Sequence, residues 1–506
     1  MNTIDMTALQ LAQQIRTKKI SVQEACDITA KNIQKYDSCL NSYITQISSD
    51  TLRCQSRKIQ ADISAGKLDA SPLAGVPMGL KDNLCTKGIL TTCASRMLNN
   101  FIPPYTATSV QRLTDAGSLL TGKLNMDEFA MGSTTETSFF GPVKNPWDLR
   151  RTAGGSSGGA AAAVSAGEAF YALGSDTGGS IRQPCAWCGL TGLKPTYGSV
   201  SRYGLIAYAS SFDQIGPIAK DALDCAAVLS VIGGLDSKDS TSLTLPPVRL
   251  DFVRTFSVKG VQIGIPLNFM KDGLSPEIQQ VWEETIRQYE HCGAHITPFE
   301  LPEISCALPA YYIIACAQAA SNLARYDGIR YGKHCENPNN LHKLYLQTRS
   351  EGFGREVKLR ILLGNFVLSA GYYDAYYKKA LRAAAYLRKI FHHTFQRFDF
   401  LLFPVTPNMP PFLGENSEDS LAMYRQDCYT VPANLCGLPA AAFPCGFSQG
   451  LPVGMQLMGA PLSEERLLGA IHAFQRETDY HFKRPPLQKL SRRKAEMKIH
   501  ETNSYS

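Results

Sequence analysis

The segment Gly174-Ser175-Asp176-Thr177-Gly178-Gly179-Ser180-Ile181-Arg182-Gln183-Pro184 decides how this chain is read. Consecutive N–H groups at a glycine turn can converge on one oxygen, and glycine lets a bound molecule come close to the backbone. A serine set directly behind such a turn, Ser180, suits a nucleophile beside an oxyanion hole. Upstream lies a second small-residue run, Gly154-Gly155-Ser156-Ser157-Gly158-Gly159, followed by Ala160 to Ala163, whose composition predicts a helix. A third cluster is Gly79-Leu80-Lys81-Asp82-Asn83.

Other uses of glycine-rich runs fit less well. A nucleotide phosphate loop needs Lys and then Ser or Thr after its last glycine, whereas here the glycines run into alanine. The run does not match G-x-G-x-x-G either, and no acidic residue stands in a persuasive ribose position. A Gly/Ser linker is possible in principle, but the run is short and abuts a strong helix former.

A serine nucleophile needs a base. Histidine is usual, yet the first histidine is His291, far along the chain from all three clusters. Lysine can serve when burial makes it neutral near pH 7. Lys81, between Leu80 and the polar pair Asp82-Asn83, is the candidate, although a lysine taken alone is nearly always a surface residue.

The order Lys81-Asp82-Asn83, then the run at 154–159, then the segment continuing from Ser175 to Gly198 resembles the amidase signature family. The likeness is dense from about Gly75 to Gly216 and continues in characteristic segments to Gly459. It implies an α/β fold with a central mixed sheet layered between helices. It implies that Ser180 is the acyl-forming nucleophile, that Ser156, preceded by a cis peptide, relays a proton, and that Lys81 is the base. Thr177, Gly178 and Gly179, with Ser180, would supply oxyanion N–H donors. Asp176 and Arg182 are expected as a structural buried pair.

Three later segments, Leu323–Gly332, Glu356–Ala380 and Tyr429–Gly446, resemble the branch of that family that serves as the glutaminase subunit of tRNA-dependent amidotransferases. The substrate implied is glutamine, and the ammonia serves to convert Glu-tRNA(Gln) into Gln-tRNA(Gln). A site for free glutamine should hold the carboxylate with an arginine fork and the ammonium with a carboxylate. By resemblance these are Arg360 and Asp427, with Tyr311 as a pocket-gating aromatic. The implied partners are a B subunit (kinase and tRNA binding) and a small C subunit in a heterotrimer, with mischarged tRNA reached through the complex. ATP and Mg2+ are expected at the partner subunit, and no cofactor or metal in this chain. A stand-alone amidase for simple or aryl amides would share the three catalytic residues without needing Arg360 or Asp427. A non-catalytic scaffold of a tRNA-binding complex would have no need to keep those three.

The rest of the 506 residues fits a large globular enzyme. The formal charge is +7, with Lys and Arg scattered, which permits but does not demand an RNA partner. Fifteen cysteines without a dense framework point to a reduced compartment, cytoplasmic in a bacterium or organellar in a eukaryote. The lone pair Cys185 and Cys188 reads as buried thiols rather than a zinc site. The N-terminal residues lack a secretory pattern, and the apolar stretch Ala307 to Ala320 is shorter than a bilayer span, so no membrane is expected.

Local patterns predict two N-terminal helices, one burying Ala8, Leu11, Ala12 and Ile15, the other opened by a Ser21–Glu24 capping box. Val261, Ile263 and Ile265 alternate as a half-buried strand, and Ser275-Pro276 opens a helix with Ile278, Val281, Trp282 and Tyr289 on one face. Residues 306–332 and 355–398 read as mainly helical, 401–403 as a buried strand, and 440–459 as sheet. Residues 1–488 are expected to form one domain with a helical cap near 300–400, and 489–506 a basic, disordered tail.

Overall fold

A computed structural model describes residues 3–244, 248–269, 273–415 and 420–487. The basic tail expected at 489–506 lies outside these described residues. Among them eleven strands form one sheet. They are β1 (Tyr43–Gln46), β2 (Pro77–Lys81), β3 (Leu119–Leu124), β4 (Tyr171–Asp176), β5 (Thr191–Lys194), β6 (Gln214–Ala219), β7 (Gln262–Pro266), β8 (His295–Phe299), β9 (Phe400–Pro404), β10 (Ala440–Ser448) and β11 (Leu451–Gly459). The spatial order is β1-β3-β2-β4-β6-β5-β10-β11-β9-β7-β8. Pairs β2–β3 and β2–β4 near one end, and β7–β8 and β7–β9 at the other, are parallel. The strands between run antiparallel, so the sheet is mixed.

Helices cover both faces. Tyr171 and Leu173 of β4, Phe400 and Leu402 of β9, and Ala441 and Phe443 of β10 share a core with helices Ala8–Arg16, Thr108–Asp115, Ala222–Ile232, Pro276–His291 and Glu464–Arg476. The intervening residues face the other way. Ala172 and Ala442 meet helices Gly158–Ser165 and Arg182–Cys188, while Leu401 and Phe403 meet helices Ala307–Leu323, Arg355–Leu368 and Lys378–Thr394. This is the layered α/β architecture expected from the sequence.

The N-terminal helices form as read. Ala8, Leu11, Ala12 and Ile15 are buried, and Ser21 accepts from the Glu24 N–H while the Glu24 carboxylate accepts from Ser21. Strand β7 differs from the expectation of a half-buried strand. From Ile263 to Pro266 every residue is buried, because β8 and β9 flank it and helices cover both faces. Helix Leu341–Gly352 was not foreseen. It buries only Thr348 and Gly352 and leaves Leu341 and Leu346 exposed, so it carries no apolar stripe for a periodicity reading to find.

The apolar stretch near 307 also runs longer than expected. Ile304–Leu323 is 20 residues, long and apolar enough by length and composition to cross a membrane. In this fold it packs against helices Arg355–Leu368 and Lys378–Thr394 and buries Tyr311, Ile314, Ala315 and Ala319.

Parallel neighbours β2 and β4 place their C-terminal ends side by side, with Leu80 opposite Leu173. Lys81 ends one strand and Asp176 the other, so the lysine and the Thr177–Ser180 turn emerge at the same edge. That is where open α/β sheets bind their ligands.

Candidate active site

Lys81 has no exposed surface, and its Nζ lies 2.7 Å from Ser156 Oγ and 3.2 Å from the Ser175 carbonyl. Burial is the larger influence on its ammonium and brings it down to about 7, against the pull of the Asp127, Asp176 and Asp213 carboxylates. Lys194 and Lys220 are also buried and also brought to about 7. Those two donate to carbonyls, of Pro195 and of Ile4 and Met6. Lys81 differs in facing a serine hydroxyl. A neutral amine there can take the proton of Ser156, which a charged ammonium cannot.

Ser156 follows a cis peptide bond at Gly155. The turn is held on every side. Asp127 donates its N–H to the Ser156 carbonyl at 3.2 Å, and Gly155 donates to Gln183 Oε1 at 2.9 Å. A Cβ on Gly155 would collide with the Asp127 carboxylate and the Thr134 and Thr135 amides, which is why only glycine fits. Ser157 donates its N–H to the Ser180 carbonyl at 3.1 Å, tying the two serine turns together. Lys81 and Ser156 are fully enclosed, whereas Ser180 keeps 7% of its surface, so a substrate reaches Ser180 first.

Four N–H groups were expected at the oxyanion turn. Gly179 donates instead to Asp176 Oδ1 at 2.8 Å. Among the described residues, the N–H groups of Thr177, Gly178 and Ser180 donate to no other protein group. The turn is rigid: Thr177 Oγ1 donates to Asp213 at 2.7 Å, and Thr430 Oγ1 donates to the Gly178 carbonyl at 2.5 Å. A side chain at Gly178 would strike the Tyr311 hydroxyl, and one at Gly179, where φ is +130°, would strike Thr430. Asp176 and Arg182 form a buried pair at 3.1 Å, and Arg182 also reaches Gln456 and Asn434. Burial pushes the Asp176 carboxyl up, but Arg182 and Asn434 prevail and hold it well below the usual carboxylate range.

Beyond the turn, Tyr311, Arg360 and Asp427 come together from distant segments around Tyr312. Arg360, on helix Arg355–Leu368, is 2% exposed. Its Nε donates to Glu356 at 2.7 Å and its Nη1 to the Tyr208 hydroxyl at 2.6 Å, while its Nη2 has no hydrogen-bond partner among the described residues. Its guanidinium sits over the rings of Tyr312 and Tyr424 at 5.3 and 5.2 Å. Asp427 accepts from Tyr312 at 2.6 Å and Ser133 at 3.0 Å. Burial raises its carboxyl to about 7, more than these bonds and Arg360 lower it. Tyr311 is buried with its hydroxyl against Gly178 rather than exposed at an entrance.

Several residues here were missed from the sequence. Tyr312, Tyr208, Tyr424, Glu356 and Ser133 brace Arg360 and Asp427, directly or through one another. The Glu356–Arg360 spacing of four on one helix was the available signal. Asp127, whose carboxyl burial raises to about 6, carried none. Cys185 and Cys188 are buried, unpaired thiols, as read.

Residues 24–468 match the family profile described as Amidase. The A subunit of the Moorella thermoacetica glutamyl-tRNA(Gln) amidotransferase is 51% identical over 482 residues, covering 95% of this chain and 98% of that protein. Its counterpart in Lachnoclostridium phytofermentans is 50% identical over 497 residues, 96% of this chain and all of its own length. Among solved structures, the A subunit of the Thermotoga maritima glutamyl-tRNA(Gln) amidotransferase is 35% identical, with a TM-score of 0.78 over 96% of this chain and 98% of its own. A bacterial aryl acylamidase of the amidase signature family is 26% identical, with a TM-score of 0.83 over 95% of this chain and 99% of its own.

Proposed function

The chain belongs to the amidase family, and on that premise we propose that it is the glutaminase subunit of a tRNA-dependent amidotransferase. It hydrolyses glutamine at Ser180 and supplies the ammonia that converts Glu-tRNA(Gln) into Gln-tRNA(Gln). The observation that carries the glutamine reading is the pairing of Arg360 with Asp427. A buried guanidinium with one nitrogen unpartnered is costly unless an anion completes it. A carboxylate opposite it, joined through the shared Tyr312, matches the two charges of a free amino acid. The segment bearing Asp427 is bonded through Thr430 to Gly178, which sets that carboxylate beside the Ser180 turn.

In this reading the chemistry runs through Lys81, Ser156 and Ser180. Neutral Lys81 takes the proton of Ser156 as Ser156 takes that of Ser180, whose oxygen attacks the side-chain carbonyl carbon of glutamine. The oxyanion forms against the N–H groups of Thr177, Gly178 and Ser180. Lys81 returns the proton through Ser156 to the leaving nitrogen, which departs as ammonia. Water then attacks the glutamyl ester by the same relay and releases glutamate. Gly179 supports the turn through Asp176 rather than meeting the oxyanion. Tyr311 walls the pocket over Gly178.

No metal or cofactor of this chain enters these steps. ATP and Mg2+ act at a B subunit that binds tRNA and activates the glutamyl group, and a small C subunit completes a heterotrimer. The assembly works in the cytoplasm, or in an organelle of a eukaryote.

The test is ammonia release from glutamine and from a panel of simple and aryl amides, by the protein purified with its partners. Selective glutamine turnover that disappears in Ser180→Ala is expected. Turnover of simple amides with glutamine ignored would move the chain to the stand-alone amidases.

A further inference from the structure

Helix Arg355–Leu368, which carries Glu356 and Arg360, begins at Gly354, a residue with no side chain to cap it. In a capping box the third helical residue reaches back to the N–H of the cap residue. Here that position is Val357, which has nothing to offer. The N–H of Gly354 is taken instead by Glu128, 226 positions away in sequence, whose Oε2 accepts it at 2.8 Å. Glu128 is 3% exposed, and its other oxygen accepts from Ser95 at 2.5 Å. Ser95 also donates to the Gly352 carbonyl at 3.3 Å, and Phe129 packs edge-on against Phe353. The whole 352–354 corner is therefore pinned by the segment around Glu128. A Cβ on Gly354 would strike the tip of the Glu128 carboxylate and push it from its place at the helix start.

The neighbouring residue faces the other site. Asp127 donates its N–H to the Ser156 carbonyl, and its carboxylate lies against Gly155. Two adjacent residues thus brace two different structures, the serine turn and the helix that aims the guanidinium.

We propose that Glu128 is a positioning residue for glutamine: its carboxylate fixes the start of the Arg360 helix and so sets where the substrate's carboxylate is held relative to Ser180. The inference rests on the glutamine reading above. It assigns Glu128 to binding, not to the chemistry at Ser180, which its side chain does not touch.

The test compares Glu128→Ala, Glu128→Gln and Gly354→Ala in the assembled complex. Two readouts are taken: glutaminase KM and kcat, and the rate at which Ser180 is labelled by a sulfonyl fluoride lacking both amino-acid charges. Glu128→Ala and Gly354→Ala should each raise the glutamine KM about tenfold, with labelling unchanged. Glu128→Gln, which keeps an oxygen acceptor, should stay near the parent. Labelling that slows by the same factor as glutamine turnover would make Glu128 a support of the whole site and overturn the proposal. An unchanged KM in either folded variant would overturn it too, and Gly354→Ala provides that reading if Glu128→Ala does not fold. Arg360→Ala run alongside separates the premises: if it leaves the glutamine KM unchanged, the glutamine reading fails, whatever Glu128 does.

Discussion

The serine turns and the cluster around Arg360 and Asp427 lie side by side but are built differently. The first is backbone chemistry: Lys81 and Ser180 sit at the ends of two adjacent parallel strands, and Ser156 in a turn gripped by Asp127, Gln183 and Ser180. Its working groups are peptide N–H groups, a carbonyl, two hydroxyls and one amine. The second is side-chain chemistry, assembled from the 133, 208, 311–312, 356–360 and 424–427 segments. A fold that keeps the first and varies the second can cleave different amides with the same machinery.

If the division is real, damage to the two regions must look different. The largest effect belongs to the relay. Lys81→Ala should lower kcat about ten-thousand-fold or more for every amide, glutamine or not, because the base serves all of them. Steady-state ammonia release checks this, and comparable turnover of any one amide would show a base other than Lys81.

Arg360→Ala should instead cost about a hundredfold in kcat/KM for glutamine, mostly as KM, from the loss of a buried charge-assisted bond. Turnover of an amide without an α-carboxylate should hardly move, and Arg360→Lys should recover only part, since an ammonium lacks the planar fork. Equal losses on both substrates would mean that Arg360 supports the serine turns as well, and the separation would fail.

The same contrast explains what was readable in the sequence. Backbone geometry leaves contiguous marks, because glycines are compulsory where a Cβ would strike a neighbour, as at Gly155 and Gly178. Ser180 and Lys81 could therefore be proposed from short clusters, whereas the relay role of Ser156 came from resemblance. Side chains gathered from distant segments leave no such mark, and Arg360 and Asp427 emerged only through resemblance. Ser175 was invisible in principle, because it meets Lys81 through its carbonyl, which any residue has. The sheet was legible in class but not in order. Strands β2, β3, β4 and β6 are buried along their whole length, so no alternation shows which face is which or which neighbour is parallel.

The gentlest probe of the two regions is pH, since each contributes a titrating group with a direct part in the reaction, Lys81 in one and Asp427 in the other. Lys81, lowered by burial to about 7, must be neutral to accept a proton. Asp427, raised by burial to about 7, must be ionised to hold an ammonium. Both requirements fail as pH falls, one because the amine gains a proton and the other because the carboxylate does. Below about pH 6 the kcat/KM for glutamine should therefore fall about a hundredfold per pH unit, a limiting slope of two on a logarithmic plot. A simple amide needs only the amine and should show a slope of one. Asp427→Asn, which removes the pocket's titration, should reduce the glutamine slope to one while lowering its value at neutral pH. A slope of two for both substrates would place both groups in the shared machinery, and a slope of one for both would remove Asp427 from the binding of the ammonium.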